Sequence, residues 1–198
     1  ISEPNYILDI GAHRGQFYGW AKNVWPWSII WMIEANEVHE QTLKNMTVGT
    51  DDECLIATLG DEERDVTFYT RSDKPHTEGA SYYKENAYWD IPQLVMKIPK
   101  RLQKLDNLFD DMQFDIIKMD TQGSELDIIK GGKDLCKKAS AIILEVSLID
   151  LNEGAPLYDE VVGFMNAFGF VEKMSIGEHY EGEEIIQKDL VFLKEELL

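Results

Sequence analysis

Four acids stand at or near the ends of short apolar runs: Asp9 in Tyr6-Ile7-Leu8-Asp9-Ile10, Glu34 after Ile29-Ile30-Trp31-Met32-Ile33, Asp120 after Ile116-Ile117-Lys118-Met119, and Glu145 after Ala141-Ile142-Ile143-Leu144. If each run is a strand of an open α/β sheet, the carboxylates collect at the carboxyl edge, where such sheets bind ligands. The first run leads into Gly11-Ala12-His13-Arg14-Gly15, a strand-to-helix bend in which Gly11 admits close backbone approach and Gly15 a tight helix start. Taken alone, the two glycines fit an ordinary turn and Glu34 a capping or solvent-facing acid. Their strand context predicts a nucleotide site.

Spacing narrows the nucleotide. A dinucleotide fingerprint needs a middle glycine beside the pyrophosphate, and His13 stands there instead. S-adenosylmethionine has no phosphate; its amino and sulfonium groups are cationic, and its ribose hydroxyls suit charge-assisted hydrogen bonds to a carboxylate. Glu34, 19 residues after Gly15, is the ribose candidate, close to the offset of about 20 at which the acidic acceptor sits in related nucleotide folds.

The elements that must position these groups alternate. Helix patterns are expected over 15–24, 36–46 (capped by Asn36), 124–130 and 158–168, the last two stopped by Gly131-Gly132 and Gly169. Strands are expected over 6–10, 28–33, 53–59, 66–70, 114–119 and 141–144, with a closing pair near 170–175 and 190–193 joined by an acidic loop over 178–184. This order predicts a parallel sheet covered by helices on both faces, with the last two strands antiparallel. The stretch 71–99, with Pro75, Gly79 and Pro92, is too long and mixed for a tight connection and is expected to carry acceptor selectivity. The length, 198 residues, predicts one domain over 1–198.

Composition bounds the partners. Asp and Glu outnumber Lys and Arg 37 to 19, for a formal charge of −18 that repels nucleic acid. Cys54 and Cys136 form no disulfide framework or zinc spacing, and a reducing cytoplasmic setting is expected. No apolar run approaches the ~20 residues of a membrane span. The chain starts without Met, leaving room for a trimmed N-terminal piece.

The segment Ile117-Lys118-Met119-Asp120-Thr121-Gln122-Gly123-Ser124-Glu125 matches the IKxDxxGxE stretch of the FkbM family of S-adenosylmethionine-dependent methyltransferases, which the chain resembles over nearly its whole length. Leu8-Asp9-Ile10-Gly11-Ala12, Glu34-Ala35-Asn36, Leu59-Gly60-Asp61-Glu62, Leu105-Asp106 and Leu144-Glu145-Val146 support the match; the family's usual Gly-Ala-Asn bend has His13 in place of the Asn. The resemblance implies a Rossmann-like class I methyltransferase fold with a mostly parallel seven-stranded sheet, and O-methylation of a sugar or other small metabolite. It places the cofactor against Asp9, Gly11, Ala12, His13, Gly15, Glu34, Ala35, Asn36, Leu59, Gly60, Asp61, Asp120 and Gln122.

Methyl transfer to an alcohol needs a positioned acceptor and a base within reach. Asp120, Glu125 and Glu145 are the catalytic candidates, and His179, expected in the last loop, could reach the open face. Asp120 could equally cap the following helix, and Glu125 could answer that helix's positive end. Asp120 and Glu145 could share a divalent metal, but no third ligand is apparent, and none of the four histidines has metal-ligand spacing. A surface or loop position is expected for each histidine, and a core or helix-packing role for Trp20, Trp25, Trp27 and Trp31. Competing readings are a non-catalytic cofactor-binding accessory module and a dinucleotide-binding oxidoreductase.

Overall fold

The apolar runs become strands because their β-branched and aliphatic side chains can be buried on two faces at once. In the computed structural model, which describes residues 3–86, 91–109 and 111–197, β1 (Tyr6–Ile10) leads to α1 (Gln16–Val24), β2 (Ile29–Glu34), α2 (Glu40–Thr47) and β3 (Glu53–Ile56). Then come β4 (Thr58–Leu59), β5 (Asp65–Arg71), β6 (Val95–Gln103) and α3 (Leu105–Leu108). The chain continues through β7 (Ile116–Met119), α4 (Glu125–Gly131), α5 (Lys133–Cys136), β8 (Ala141–Ser147), α6 (Tyr158–Phe168), β9 (Phe170–Glu181) and β10 (Glu184–Lys194).

Seven strands form one sheet in the order β3-β2-β1-β7-β8-β10-β9. The first five are parallel, and β10 runs antiparallel to both β8 and β9. This is the class I methyltransferase fold. Alternation divides the core: Leu8, Ile10, Ile117 and Leu144 pack with Leu126, Ile129 and Met165 of α4 and α6, whereas Ile7, Ile30, Ile116 and Ile143 pack with Tyr18, Ala21 and Leu43 of α1 and α2. Each fully buried side chain of this kind contributes about 1.5–3 kcal/mol, so both helical layers are held firmly. Chain order reverses between β1 and β7, the switch point at which such sheets open a crevice.

Several expectations need correction. The strand over 53–59 is two strands: after the Ala57 N–H bonds to the Glu34 carbonyl at 3.0 Å, β4 leaves the main sheet and pairs with β6 in a separate three-stranded sheet, β4-β6-β5. The long connection contains β6, paired along its length with β5. Pro99 hid it in the sequence, yet β4 reaches only Leu102 and Gln103, so Pro99 lies where the strand has one neighbour and its missing N–H does no harm. Residues 87–90 of that connection lie outside the described residues.

The helix over 36–46 is a short 3-10 turn, Glu37–His39, followed by α2. The loop over 178–184 is instead the tip of a long β9–β10 hairpin, so His179 lies on a strand. Trp20 and Trp27 are exposed rather than core, and His39 is buried rather than on the surface.

Candidate functional site

Above the switch point lies a cavity of about 500 Å³, within the roughly 300–1,000 Å³ typical of small-molecule sites. Ile10 to His13, Glu34, Ala35, Leu59, Lys118, Asp120, Gln122 and Glu145 all contribute to its wall.

The glycine bend is shaped by packing. Gly11 has φ +77°, and a Cβ there would lie 1.8 Å from the Asp120 carbonyl oxygen, so the ends of β1 and β7 meet only because this residue has no side chain. Gly15, also at positive φ, leaves room for the Met46 thioether of α2. His13 holds φ 49° without being glycine. Its ring does not stand free in the cavity: Nδ1 pairs with Gln16 Nε2 at 3.0 Å, and Nε2 pairs with the His76 carbonyl at 3.0 Å. Asn36 Nδ2 donates to the Pro75 carbonyl at 3.0 Å, so His13 and Asn36 strap the chain around 75–76 over this end of the cavity.

Glu34 is fixed before any ligand arrives. Its Oε2 accepts the His13 N–H and its Oε1 the Asn36 N–H, each at 2.7 Å. Burial raises its pKa, opposed by those N–H donors. Asp9 lies beneath the cavity, fully buried, in register with Lys118 of β7. Its oxygens have no hydrogen-bond partner among the described residues, and Lys118 Nζ stands 3.7 Å away. Burial raises Asp9 to about 6, with Lys118 opposing. Burial would lower the Lys118 pKa, but the charges of Asp120 and Asp9 prevail and raise it.

At the opposite end, Asp120 accepts from Lys118 Nζ and from Gln122 Nε2, both at 3.2 Å. Burial pushes its pKa up, but Lys118 and Gln122 hold it below the ordinary value. Glu145 is buried and accepts at Oε2 from Gln122 Nε2 at 2.5 Å and Gln187 Nε2 at 3.0 Å. Burial, then the neighbouring charges of Asp120 and Glu125, raise its pKa. Since β8 runs on to Ser147, Glu145 lies within the strand rather than just past it.

Glu125, one of the three expected catalytic acids, is not among the residues lining the cavity. Its carboxylate accepts Thr121 N–H at 2.7 Å, Thr121 Oγ1 at 3.0 Å and Gly123 N–H at 3.1 Å, which pins the turn ahead of α4. Burial lifts it to about 7. Among the expected cofactor residues, Asp9, Gly15, Asn36, Gly60 and Asp61 do not line the cavity. Gly60 lies against α4, where a Cβ on Gly131 would fall 2.0 Å from its carbonyl oxygen.

Lys118, Gln187 and Asn152 line the cavity and were not singled out in the sequence. Lys118 had left a signal, a single charge inside an apolar strand. The other two left none.

Residues 9–172 match the methyltransferase FkbM domain. No curated protein matches the chain. Among solved structures, a precorrin-6y C5,15-methyltransferase from Geobacter metallireducens is 13% identical, with a TM-score of 0.53 over 98% of this chain and 82% of that one. A magnesium protoporphyrin IX methyltransferase from Synechocystis, solved with bound SAM, is 8% identical, with a TM-score of 0.53 over 97% and 71%. TrmK of M. capricolum, solved with S-adenosyl-homocysteine, is 12% identical, with a TM-score of 0.53 over 96% and 62%. At these identities the likeness speaks for the fold alone, whereas the domain match covers most of the sequence: the chain belongs to the FkbM methyltransferase family.

Proposed function

We propose that this protein is an S-adenosylmethionine-dependent O-methyltransferase acting on a hydroxyl of a sugar or another small metabolite. The observation that carries the reading is one cavity with two differently prepared acids, Glu34 held by backbone N–H groups at one end and Glu145 held by side-chain amides at the other. Each Glu34 oxygen already accepts one N–H and has a lone pair left for a ribose hydroxyl. The backbone from Ile10 to His13 and the Asp120 carboxylate supply acceptors for the cationic methionine end, with Asp9 adding negative charge from beneath. Bound S-adenosylmethionine supplies an electrophilic methyl group on a sulfonium.

The rest is work for the chain's own side chains. Glu145, whose pKa is raised by burial and by the charges of Asp120 and Glu125, takes the proton of the acceptor hydroxyl as general base. Gln122 and Gln187 hold its Oε2 and so orient the carboxylate. Asn152, buried in the cavity wall, has an Oδ1 without a partner among the described residues, an acceptor suited to a second hydroxyl of the substrate. The formal charge of −18 favours a small-molecule or glycan acceptor over nucleic acid. The two unpaired cysteines suit the reducing cytoplasm, and no described helix is long and apolar enough to cross a membrane.

Incubation with methyl-labelled S-adenosylmethionine and a panel of sugars and small alcohols should move label onto an oxygen, and Glu145→Gln should stop the transfer while leaving affinity for S-adenosylhomocysteine intact. An accessory binding module would bind the product and label nothing. Binding of NAD but not of S-adenosylhomocysteine in calorimetry would refute the proposal in favour of an oxidoreductase.

A further inference from the structure

Strands β7, β8 and β10 place three carboxylates in one row. Met119 pairs with Leu144, so Asp120 stands beside Glu145 one step further along, and Glu145 is directly opposite Asp189 of β10. Like charges facing each other across adjacent strands are destabilising. Lys118 answers the Asp120 end at 3.2 Å. Toward the hairpin the row meets His179, whose Nε2 lies 3.8 Å from Glu145 Oε1 and 3.8 Å from Asp189 Oδ2.

A separation of 3.8 Å is too long for a hydrogen bond. It is the span between two ligands that each sit about 2.0–2.3 Å from one shared cation. One ligand atom from each of Glu145, His179 and Asp189 lies within 4.8 Å of the other two.

Two features prepare this constellation. Both amide donors on Glu145 use Oε2, and among the described residues no N–H reaches Oε1, the oxygen facing His179. Such outer hydrogen bonds are how proteins orient metal-binding carboxylates. Gly177 is opposite Asp189 in the β9–β10 register, and a Cβ there would lie 2.3 Å from Asp189 Oδ2. The absent side chain gives the carboxylate its place, and His179 returns to the same face two residues later.

We infer that Glu145, His179 and Asp189 form a divalent-cation site opening on the acceptor end of the cavity. One imidazole with two carboxylates suits Mn²⁺ or Zn²⁺ better than an all-oxygen cation such as Ca²⁺. The cation neutralises the facing carboxylates and leaves coordination positions for water and for an oxygen of the acceptor. With the cation bound, Glu145 would hold it through Oε1 in place of taking the proton itself, and the cation would polarise the hydroxyl so that its proton is lost to water. This use rests on the methyl-transfer reading; the binding does not.

The test is titration of Mn²⁺ into the chelator-treated full chain, followed by calorimetry and electron paramagnetic resonance. One Mn²⁺ per chain is expected, with His179→Ala and Asp189→Asn each weakening it about tenfold or more and the double variant abolishing it. Affinity for S-adenosylhomocysteine should persist in each variant, which reports that the chain still folds. Glu178→Gln and Glu181→Gln, on the same hairpin but outside the constellation, should leave Mn²⁺ binding unchanged.

No Mn²⁺ or Zn²⁺ binding by the parent protein, undiminished binding by the double variant, or equal losses in the hairpin controls would overturn the site. Label transfer undiminished in chelator would overturn the cation's use in catalysis. Mn²⁺ held at this site with no label transferred to any acceptor would uphold the site and refute the methyl-transfer reading.

Discussion

The two sides of the switch point between β1 and β7 treat buried acids in opposite ways. On the β1–β2 side, Glu34 ends β2 with both oxygens met by backbone N–H groups. On the β7–β8–β10 side, Asp120, Glu145 and Asp189 stand in a row served by one lysine, two glutamines and one histidine. A carboxylate already matched by fixed dipoles is a ready acceptor for neutral hydroxyls, whereas carboxylates crowded together call for a proton or a cation. One sheet edge thus provides both recognition and reactivity, separated by the point where chain order reverses.

The strongest way to break this comparison is to part the two halves where they touch. Gly11→Ala would set a Cβ 1.8 Å from the Asp120 carbonyl at φ +77°, and a loss of about 3 kcal/mol or more is expected in urea denaturation, from overpacking and backbone strain together. A stability close to that of the parent would show that the ends of β1 and β7 do not meet as described.

A paired exchange distinguishes the two acids. Glu34→Gln should weaken S-adenosylhomocysteine binding roughly 10–100-fold in calorimetry, since hydrogen bonds to a charged group are worth about 1.5–3 kcal/mol. Glu145→Gln should leave that affinity alone and lower kcat about 10²–10⁴-fold, the usual contribution of a general base. Equal effects of the two variants on both readouts would erase the division of labour.

Smaller still is a pH effect. Burial raises Asp9 from 3.8 to about 6 and Glu125 from 4.5 to about 7. Both acids bind protons more tightly folded than unfolded, so their stabilisation is full below the unfolded values and is lost as pH rises through the folded ones. Their contribution to stability should therefore fall from about pH 4 to 7, opposite in sign to that of a salt-bridged carboxylate. Denaturation at a series of pH values should show this slope, and Glu125→Gln should flatten its upper part.

The least effect is expected of His13→Asn. Asn tolerates the left-handed backbone at this position, and the ring's pairings with the His76 carbonyl and with Gln16 Nε2 are lost. A rise of a few-fold in KM for the methyl donor is expected from neutral hydrogen bonds of about 1 kcal/mol each. An unchanged KM would detach the strap from donor binding.

What could be read in advance followed local rules. Gly11 and Gly15 lie within one strand-turn-helix unit and Glu34 ends the strand that follows, so spacing along the chain tracks spacing in space, and β1, α1 and β2 form where expected. The placement of Glu125 was not legible, because an acid at the start of a helix has the same signature whether it faces a cavity or binds the turn before it; the three bonds to Thr121 and Gly123 appear only in the structure. Strand β6 was hidden by Pro99 and its lysines and arginine, since its partner β5 lies beyond a long connection.

The sequence alone determined the alternating α/β order, the family and the leading bend with its acid, because periodicity and short motifs encode what neighbouring residues do together. Tertiary structure alone decided that Asp189, ten residues past His179, faces Glu145 from the adjacent strand, and that Gln122 and Gln187 converge on one carboxylate oxygen. Pairing between distant strands sets those contacts, and a shift of one residue in register would turn each side chain to the opposite face.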